Sequence, residues 1–215
     1  MKIGVLGTGI VGQTLAGGFI SLGHKVMMGT RDAKADKVKA WVDKNGKNAS
    51  SGTFEEAAKF SELGVLSTLW TGTENAIKLA GPKNLSGKVV IDTTNPLLFG
   101  KEGEPPKLAL GHNDSGGEQV QRWLPDAKVV KAFNMVGNAH MVHPQFPGGP
   151  PDMFICGNDK TAKEKVIDIL KAFGWIVTDI GGIEGARELE PMCILWVKYA
   201  MLHKGWNHAF KMLNK

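Results

Sequence analysis

The sequence has few of the residues that build disulfide frameworks or metal centres. Its 215 residues include only two cysteines, Cys156 and Cys193, which predict no disulfide framework and fit a reducing cytoplasm. No C-x-x-C or H-E-x-x-H spacing occurs, and His140 and His143 stand in an irregular stretch that favours loop packing over a metal site. We therefore predict no metal and two inert thiols in apolar surroundings.

Long apolar runs and dense charge of one sign are missing as well. No stretch is long and apolar enough to span a bilayer, and the first residues resemble neither a signal peptide nor a transit peptide. The net charge is +5, but the lysines are scattered and not interleaved with aromatic residues. This distribution favours anionic small molecules over nucleic acid or a membrane as partners. We expect a cytoplasmic protein.

Residues 1–32 carry the strongest motif that is present. A compact apolar strand is followed at once by Gly-Thr-Gly-Ile-Val-Gly, a helical segment and a second strand. In this context the first glycine permits a tight turn, the second lets a pyrophosphate approach the backbone, and the third lets the helix pack closely on the sheet. The helix N-terminus then favours the anion. The candidate cofactor-binding residues here are Gly7, Thr8, Gly9, Ile10, Val11 and Gly12.

The end of the second strand predicts NADP(H) in preference to NAD. An NAD enzyme usually places Asp or Glu there for the ribose 2′-hydroxyl. This chain has Thr30 and Arg31 instead, followed nearby by Lys34 and Lys37. A guanidinium can pair with a 2′-phosphate and lie on the adenine, and a hydroxyl can donate to it. Asp32, one position later, is predicted to cap the next helix.

Downstream, apolar strands alternate with helical segments, as in parallel βαβ units. Thr53 and Ser115 are predicted helix caps. The segment 93–117 is rich in glycine and proline and begins at the carboxyl end of a strand, where open α/β sheets bind ligands. The predicted helices beyond residue 32 cover residues 33–47, 54–60, 74–80, 118–124, 161–173 and 183–204, with a shorter one ending near Leu213.

These elements predict an α/β fold of the Rossmann type, with a doubly wound, mainly parallel sheet and a small C-terminal helical extension. The NADP-binding domain is predicted to cover residues 1–182. The extension is predicted to cover residues 183–215 and to pack on the same domain or on a dimer partner. Its apolar residues favour a core or a dimer face, and hence a homodimer.

Several further motifs carry a resemblance to a known family. They are the Gly-Thr-Arg tip at residues 29–31 and the segments 91–96, 131–134, 151–157 and 185–190. Together with residues 7–12, they make the chain similar to the NADP oxidoreductases dependent on coenzyme F420, an 8-hydroxy-5-deazaflavin. The chain also resembles the cytosolic domain of the six-transmembrane ferric reductases, which use NADPH and a flavin.

The resemblance implies that NADP lies over residues 7–12, with its 2′-phosphate at Thr30 and Arg31. A deazaflavin, or a flavin such as FMN or FAD, would stack on the nicotinamide as the hydride acceptor. Asn134 is a candidate for holding the nicotinamide amide, with a structural hydrogen bond as the alternative. The residues implied near the nicotinamide are Thr68, Leu69, Asn95, Pro96, Ala132, Asn134 and Met135.

Hydride transfer between stacked rings needs distance, orientation and exclusion of water more than it needs acid–base side chains. We accordingly predict no catalytic side chain. Trp70 either flanks the acceptor or packs in the core, and Arg187 and Glu188 are predicted to form structural ion pairs. Hydroxyacid dehydrogenases and pyrroline-carboxylate reductases would need a larger helical domain. Two alternatives stay open: a non-catalytic NADP(H)-binding sensor, and a flavin or ferric reductase that does not use F420.

Overall fold

The computed structural model describes residues 1–33 and 35–213. Lys34, predicted to lie near Arg31, and residues 214–215 of the predicted extension lie outside this range. Within it, eight strands form one sheet: β1 (Lys2–Leu6), β2 (Lys25–Thr30), β3 (Ala49–Thr53), β4 (Leu63–Leu66), β5 (Val89–Asp92), β8 (Lys128–Lys131), β9 (Asp152–Gly157) and β10 (Ile176–Asp179), with β6 (Leu97–Leu98) and β7 (Lys107–Leu108) forming a separate hairpin. The helices are α1 (Ile10–Ser21), α2 (Asp36–Asn45), α3 (Phe54–Phe60), α4 (Trp70–Ala80), α5 (Gly116–Trp123), α6 (Lys160–Ala172) and α7 (Ala186–His203).

The strand order is β10-β9-β8-β5-β4-β1-β2-β3. The six strands from β8 to β3 run parallel to one another. Strand β9 is antiparallel to β8, and β10 is parallel to β9. The order reverses between β1 and β4, which is the point at which open α/β sheets bind ligands. The predicted Rossmann-type α/β fold with a mainly parallel sheet is confirmed.

Burial of both faces of the sheet explains why the central strands are continuous apolar segments in the sequence. All four residues of β4 and of β5 are buried, because helices cover both faces of the sheet. Two of the predicted helix caps are confirmed. Thr53 and Glu56 form a capping box at α3, and the Ser115 hydroxyl accepts the Glu118 N–H at α5.

Other predicted helix ends were wrong. Helix α2 begins at Asp36, preceded by Ala35, so Asp32 does not cap it. Helix α7 begins at Ala186, after a 3-10 turn over residues 183–185, and not at Ile183. It ends at His203, one residue before the predicted end, where Lys204 adopts a left-handed conformation (φ 51°).

Residues 205–213 form no second short helix, contrary to the prediction. They run back over α7, where Trp196 Nε1 donates to His208 O at 2.9 Å. They then reach the start of β9, where the Asp152 N–H donates to Phe210 O at 2.9 Å and the Met212 N–H donates to Asp152 Oδ2 at 3.0 Å. Pairing with a distant strand therefore replaces local helical bonds in this segment.

Three charged side chains are buried together at the carboxyl end of β5. Lys131 Nζ lies 2.8 Å from Asp92 Oδ2 and 3.0 Å from Glu190 Oε1, and all three side chains are at most 1% exposed. Burial by itself lowers the pKa of Lys131, but the charges and hydrogen bonds of the two carboxylates outweigh it and raise that pKa. Lys131 therefore stays protonated in the interior.

The hydrogen bonds of this cluster extend to three other elements. Glu190, on α7, accepts the N–H groups of Gly116 and Gly117 at 2.9 Å each, at the start of α5. Asp92 Oδ1 accepts both the N–H and the hydroxyl of Thr94, at 2.9 and 2.7 Å. The remaining negative charge of the cluster thus faces a helix N-terminus, which favours anions.

We expect Lys131→Met to lower the free energy of unfolding by about 3–5 kcal/mol, because it leaves two buried carboxylates without their cation. Urea denaturation measures this loss. Lys128→Met on the same strand is the matched control, since its ion pair with Asp159 (3.0 Å) is partly exposed and should contribute at most about 1 kcal/mol. Because the pKa of Lys131 is raised on folding, its contribution is complete at neutral pH and is lost only at strongly alkaline pH. Equal losses in the two variants would contradict the assignment.

Candidate active site

The turn between β1 and α1 contains glycines with different steric environments. Gly7 has φ 133°, and a Cβ added there would lie 2.4 Å from Ser67 O. A Cβ on Gly12 would lie 2.5 Å from Gly7 O, so Gly12 permits the close packing of helix and turn. A Cβ on Gly9 would meet no atom within 4 Å. Gly9 therefore faces open space, directly before the N–H groups of α1.

A cleft of about 830 Å³ follows the carboxyl ends of β2, β1, β4 and β5. The sequence-predicted residues that line it are Gly7, Thr8, Gly9, Ile10, Val11, Thr30, Arg31, Thr68, Leu69 and Asn95. Those that do not line it are Gly12, Pro96, Ala132, Asn134 and Met135. Since β2 and β5 are the outer strands of this set, their tips mark the two ends of the cleft.

Among the described residues, the titratable side chains that line the cleft all lie at its β2 end. Arg31 is exposed and makes no hydrogen bond or ion pair with the residues that the structure describes. The neighbouring Thr30 hydroxyl accepts the Asp32 N–H at 3.2 Å. Asp32, Lys37 and Phe54 line the same end. A guanidinium beside a hydroxyl and a lysine suits a phosphate monoester.

The β5 end is lined by uncharged residues. Thr68, Thr93, Thr94 and Asn95 supply polar atoms, and Trp70 stands at the start of α4 with its ring 5.5 Å from that of Trp123. The apolar side chains at this end and along the mouth are unusually exposed: Leu69 at 72%, Phe99 at 71% and Ile10 at 62%. Such a surface suits a flat, largely apolar ring.

Asn134 lies behind the cleft wall, 3% exposed. Its Nδ2 donates to Asn95 Oδ1 at 3.0 Å and to Leu189 O at 2.8 Å, and Asn95 Nδ2 donates to Asn134 O at 2.8 Å. Asn134 Nδ2 and its carbonyl thus make structural hydrogen bonds, whereas Oδ1 is buried without a partner among the described residues, and contact with the nicotinamide stays a prediction. Ala132 and Met135 are likewise buried, at 0% and 2%.

Other predicted side chains have structural surroundings. Burial raises the pKa of both thiols, Cys156 and Cys193, to about 12, so neither is a thiolate at neutral pH. Arg187 forms its predicted ion pair, donating twice to Glu118. His140 bonds Asn207 at 3.2 Å. Among residues 1–33 and 35–213, no group of three or more His, Cys, Asp or Glu side chains could hold a metal ion, and no helix is long and apolar enough to cross a membrane.

Some lining residues were missed in the sequence. Phe99 belongs to the β6–β7 hairpin within the segment predicted only as irregular, and its signal was the short apolar run of residues 97–99. The sequence predicted Phe54 as the start of a helix but not as a residue that lines the cleft. The charged cluster behind the cleft also escaped notice, although Lys131 at the end of an apolar strand was a detectable signal.

Known proteins resemble the chain along its length. A family model described as NADP oxidoreductase, coenzyme F420-dependent, matches residues 2–96. The F420-dependent NADP reductase of Methanocaldococcus jannaschii is 30% identical over 223 residues, covering 100% of this chain and 99% of that protein. A crystal structure from Arthrobacter sp. fb24, provisionally described as an F420-dependent NADP-reductase, has a TM-score of 0.93 and 39% identity over 100% of both chains. Metalloreductase STEAP3 of Rattus norvegicus is 28% identical over 192 residues, which are 89% of this chain but 36% of that protein.

The fold and the glycine turn define a dinucleotide-binding protein of the Rossmann class. The full-length relative at 30% identity narrows this class further. The chain belongs to the family of NADP oxidoreductases dependent on coenzyme F420, and it is an NADP-dependent oxidoreductase.

The two glycines that begin the turn should respond oppositely to alanine. Gly7→Ala forces a side chain into a left-handed conformation and against Ser67 O, so we expect it to cost about 1–3 kcal/mol of stability. Gly9→Ala, at φ −71° and in open space, should change stability by less than about 0.5 kcal/mol. Thermal unfolding of both variants measures the difference. A destabilised Gly9→Ala would show that this position serves packing and not a ligand.

Proposed function

We propose that the chain transfers hydride between NADP(H) and coenzyme F420. The observation that carries the proposal is the division of one cleft into a phosphate-binding end at Arg31 and an uncharged, apolar end at Leu69 and Phe99. A dinucleotide bound along the strand ends would span both. Two full-length relatives described as F420-dependent reductases support F420 as the acceptor.

The nucleotide end fits NADP on several observations. The open position at Gly9 leaves room for a pyrophosphate at the start of α1, where no acidic side chain stands in the first turn. Arg31, which has no partner among residues 1–33 and 35–213, would hold the 2′-phosphate together with Lys37 and Thr30. We propose the predicted lining residues as the cofactor-binding set. Gly12 and Pro96, with the buried residues 132–135, would then support the wall from behind.

The other end fits a reaction without acid–base side chains. When bound, reduced nicotinamide would supply a hydride to the acceptor, and the proton that completes the reduced acceptor would come from bulk solvent and not from a side chain of the cleft. The titratable described residues that line the cleft are Arg31, Asp32 and Lys37, all at the nucleotide end. The residues at the acceptor end therefore orient the rings and exclude water. The exposed faces of Leu69 and Phe99 would be covered by the acceptor, which strengthens this exclusion.

Assembly and location are further parts of the proposal. We propose a homodimer through the outer face of α7, where Leu195, Tyr199 and Leu202 are exposed apolar residues. We also propose a cytoplasmic location. Two buried cysteines, 156 and 193, without a disulfide accord with a reducing compartment.

Arg31→Ala should weaken NADPH binding by about 2–4 kcal/mol, because it removes the charged hydrogen bonds to the 2′-phosphate. NADH lacks this phosphate and should bind almost equally well to both proteins, which makes it the internal control. Titration calorimetry of the two nucleotides gives both values. Equal losses for NADPH and NADH would overturn the assignment of Arg31.

Steady-state oxidation of NADPH with F420, FMN, FAD and ferric chelates identifies the acceptor. We expect the highest kcat/KM with F420. Faster turnover with FMN, FAD or ferric chelates would favour the flavin or ferric reductase alternative. Tight NADPH binding without turnover of any acceptor would favour the NADP(H)-sensing alternative.

A further inference from the structure

The threonine hydroxyls at the acceptor end of the cleft direct their protons into the protein. Thr93 Oγ1 donates to Leu66 O at 3.0 Å, and Thr94 Oγ1 donates to Asp92 Oδ1 at 2.7 Å. A hydroxyl has one proton and two lone pairs. Once its proton is engaged, it can offer a ligand only lone pairs. Both threonines line the cleft, so this wall is biased toward ligand groups that donate.

The hydroxyl proton of Thr68 is likewise directed into the protein, in this case by a residue that does not line the cleft. Its Oγ1 lies 2.9 Å from Thr73 Oγ1, which in turn lies 3.1 Å from Leu69 O. A carbonyl oxygen only accepts, so Thr73 gives its single proton to Leu69 O. Thr73 must then accept the proton of Thr68. Thr73 is 0% exposed and does not line the cleft, so it acts on a ligand through Thr68.

Asn95 complements this acceptor from the neighbouring strand. Leu66 and Asp92 are paired in the register of β4 and β5, so Thr68 and Asn95 follow adjacent strand ends. One N–H of Asn95 donates to Asn134 O, and the second has no partner among the residues that the structure describes. One fixed acceptor and one spare donor at neighbouring strand ends match the two halves of a primary carboxamide.

We propose that Thr68 determines specificity by accepting a hydrogen bond from the amino group of the nicotinamide carboxamide. The spare N–H of Asn95 serves the carboxamide oxygen. Thr73 is a positioning residue that fixes the direction of the Thr68 hydroxyl. The proposal rests on the NADP(H) function proposed above, and it adds that a ring bearing a ketone or a carboxylate in place of the carboxamide is disfavoured at this site.

The test compares NADP⁺ with its 3-acetylpyridine analogue, in which a methyl group replaces the amino group. Calorimetry gives the ratio of the two dissociation constants for the wild type and for Thr68→Val, Thr73→Val and Thr73→Ser. We expect the ratio of the dissociation constant of the analogue to that of NADP⁺ to be about five- to tenfold higher in the wild type than in Thr68→Val. This factor corresponds to the loss of one hydrogen bond. Comparing ratios between variants removes the intrinsic difference between the two ligands.

Thr73→Val keeps the side-chain shape but loses the acceptor, so the Thr68 proton becomes free and most of the preference should disappear. Thr73→Ser retains the hydroxyl and should restore the wild-type ratio, which a purely structural role would not require. Circular dichroism and thermal unfolding verify that each variant is folded. An unchanged ratio in Thr73→Val would overturn the role of Thr73, and an unchanged ratio in Thr68→Val would overturn the whole inference. Absence of NADP⁺ binding to wild type would instead overturn the proposed function.

Discussion

The buried cluster of Lys131, Asp92 and Glu190 is the constraint on which the β5 end of the cleft depends. Lys131 also donates to Thr94 O at 2.8 Å, so a buried ammonium group fixes the backbone directly before Asn95. Removing ions from water is costly, and only complete pairing and hydrogen bonding offset that cost. Each charged group of the cluster is hydrogen-bonded here. The backbone at the end of β5 is therefore held in a well-defined conformation.

The same cluster joins elements that are distant in the chain. Glu190 brings α7 to the start of α5, while Asn134 bonds Leu189, the preceding residue of α7. The C-terminal helix therefore supports the cleft wall without lining the cleft. This arrangement explains how a small extension can shape a site built from the strand ends of the sheet.

Local features of the sequence predicted many of the residues that line the β2 end of the cleft. The conformation of the glycine turn is determined within six residues, and Arg31 directly follows its strand. The local sequence was therefore sufficient to predict where these residues lie in the fold. The direction of the parallel strands likewise placed Thr68 and Asn95 at one edge of the sheet. These inferences required only neighbours in sequence or a known topology.

The remainder depends on contacts that no local pattern encodes. Asn134 lies behind the cleft wall, where its Nδ2 donates to Leu189 O, 55 positions later, as well as to Asn95 Oδ1. Residues 205–213 are not helical because Asp152, 60 positions before Met212, bonds them. The pairing of Lys131 with two carboxylates also joins residues from separate elements, although a lysine at the end of an apolar strand indicated its place.

The β6–β7 hairpin has a kinetic consequence. It is paired at two positions only, Leu97 with Leu108 and Leu98 with Lys107, and it carries the exposed Phe99 at the cleft mouth. So short a ribbon has little local stability, and its amide protons should exchange with solvent faster than those of the main sheet. Because Phe99 lines the cleft and is 71% exposed, we expect opening of this ribbon to change the shape of the cleft mouth.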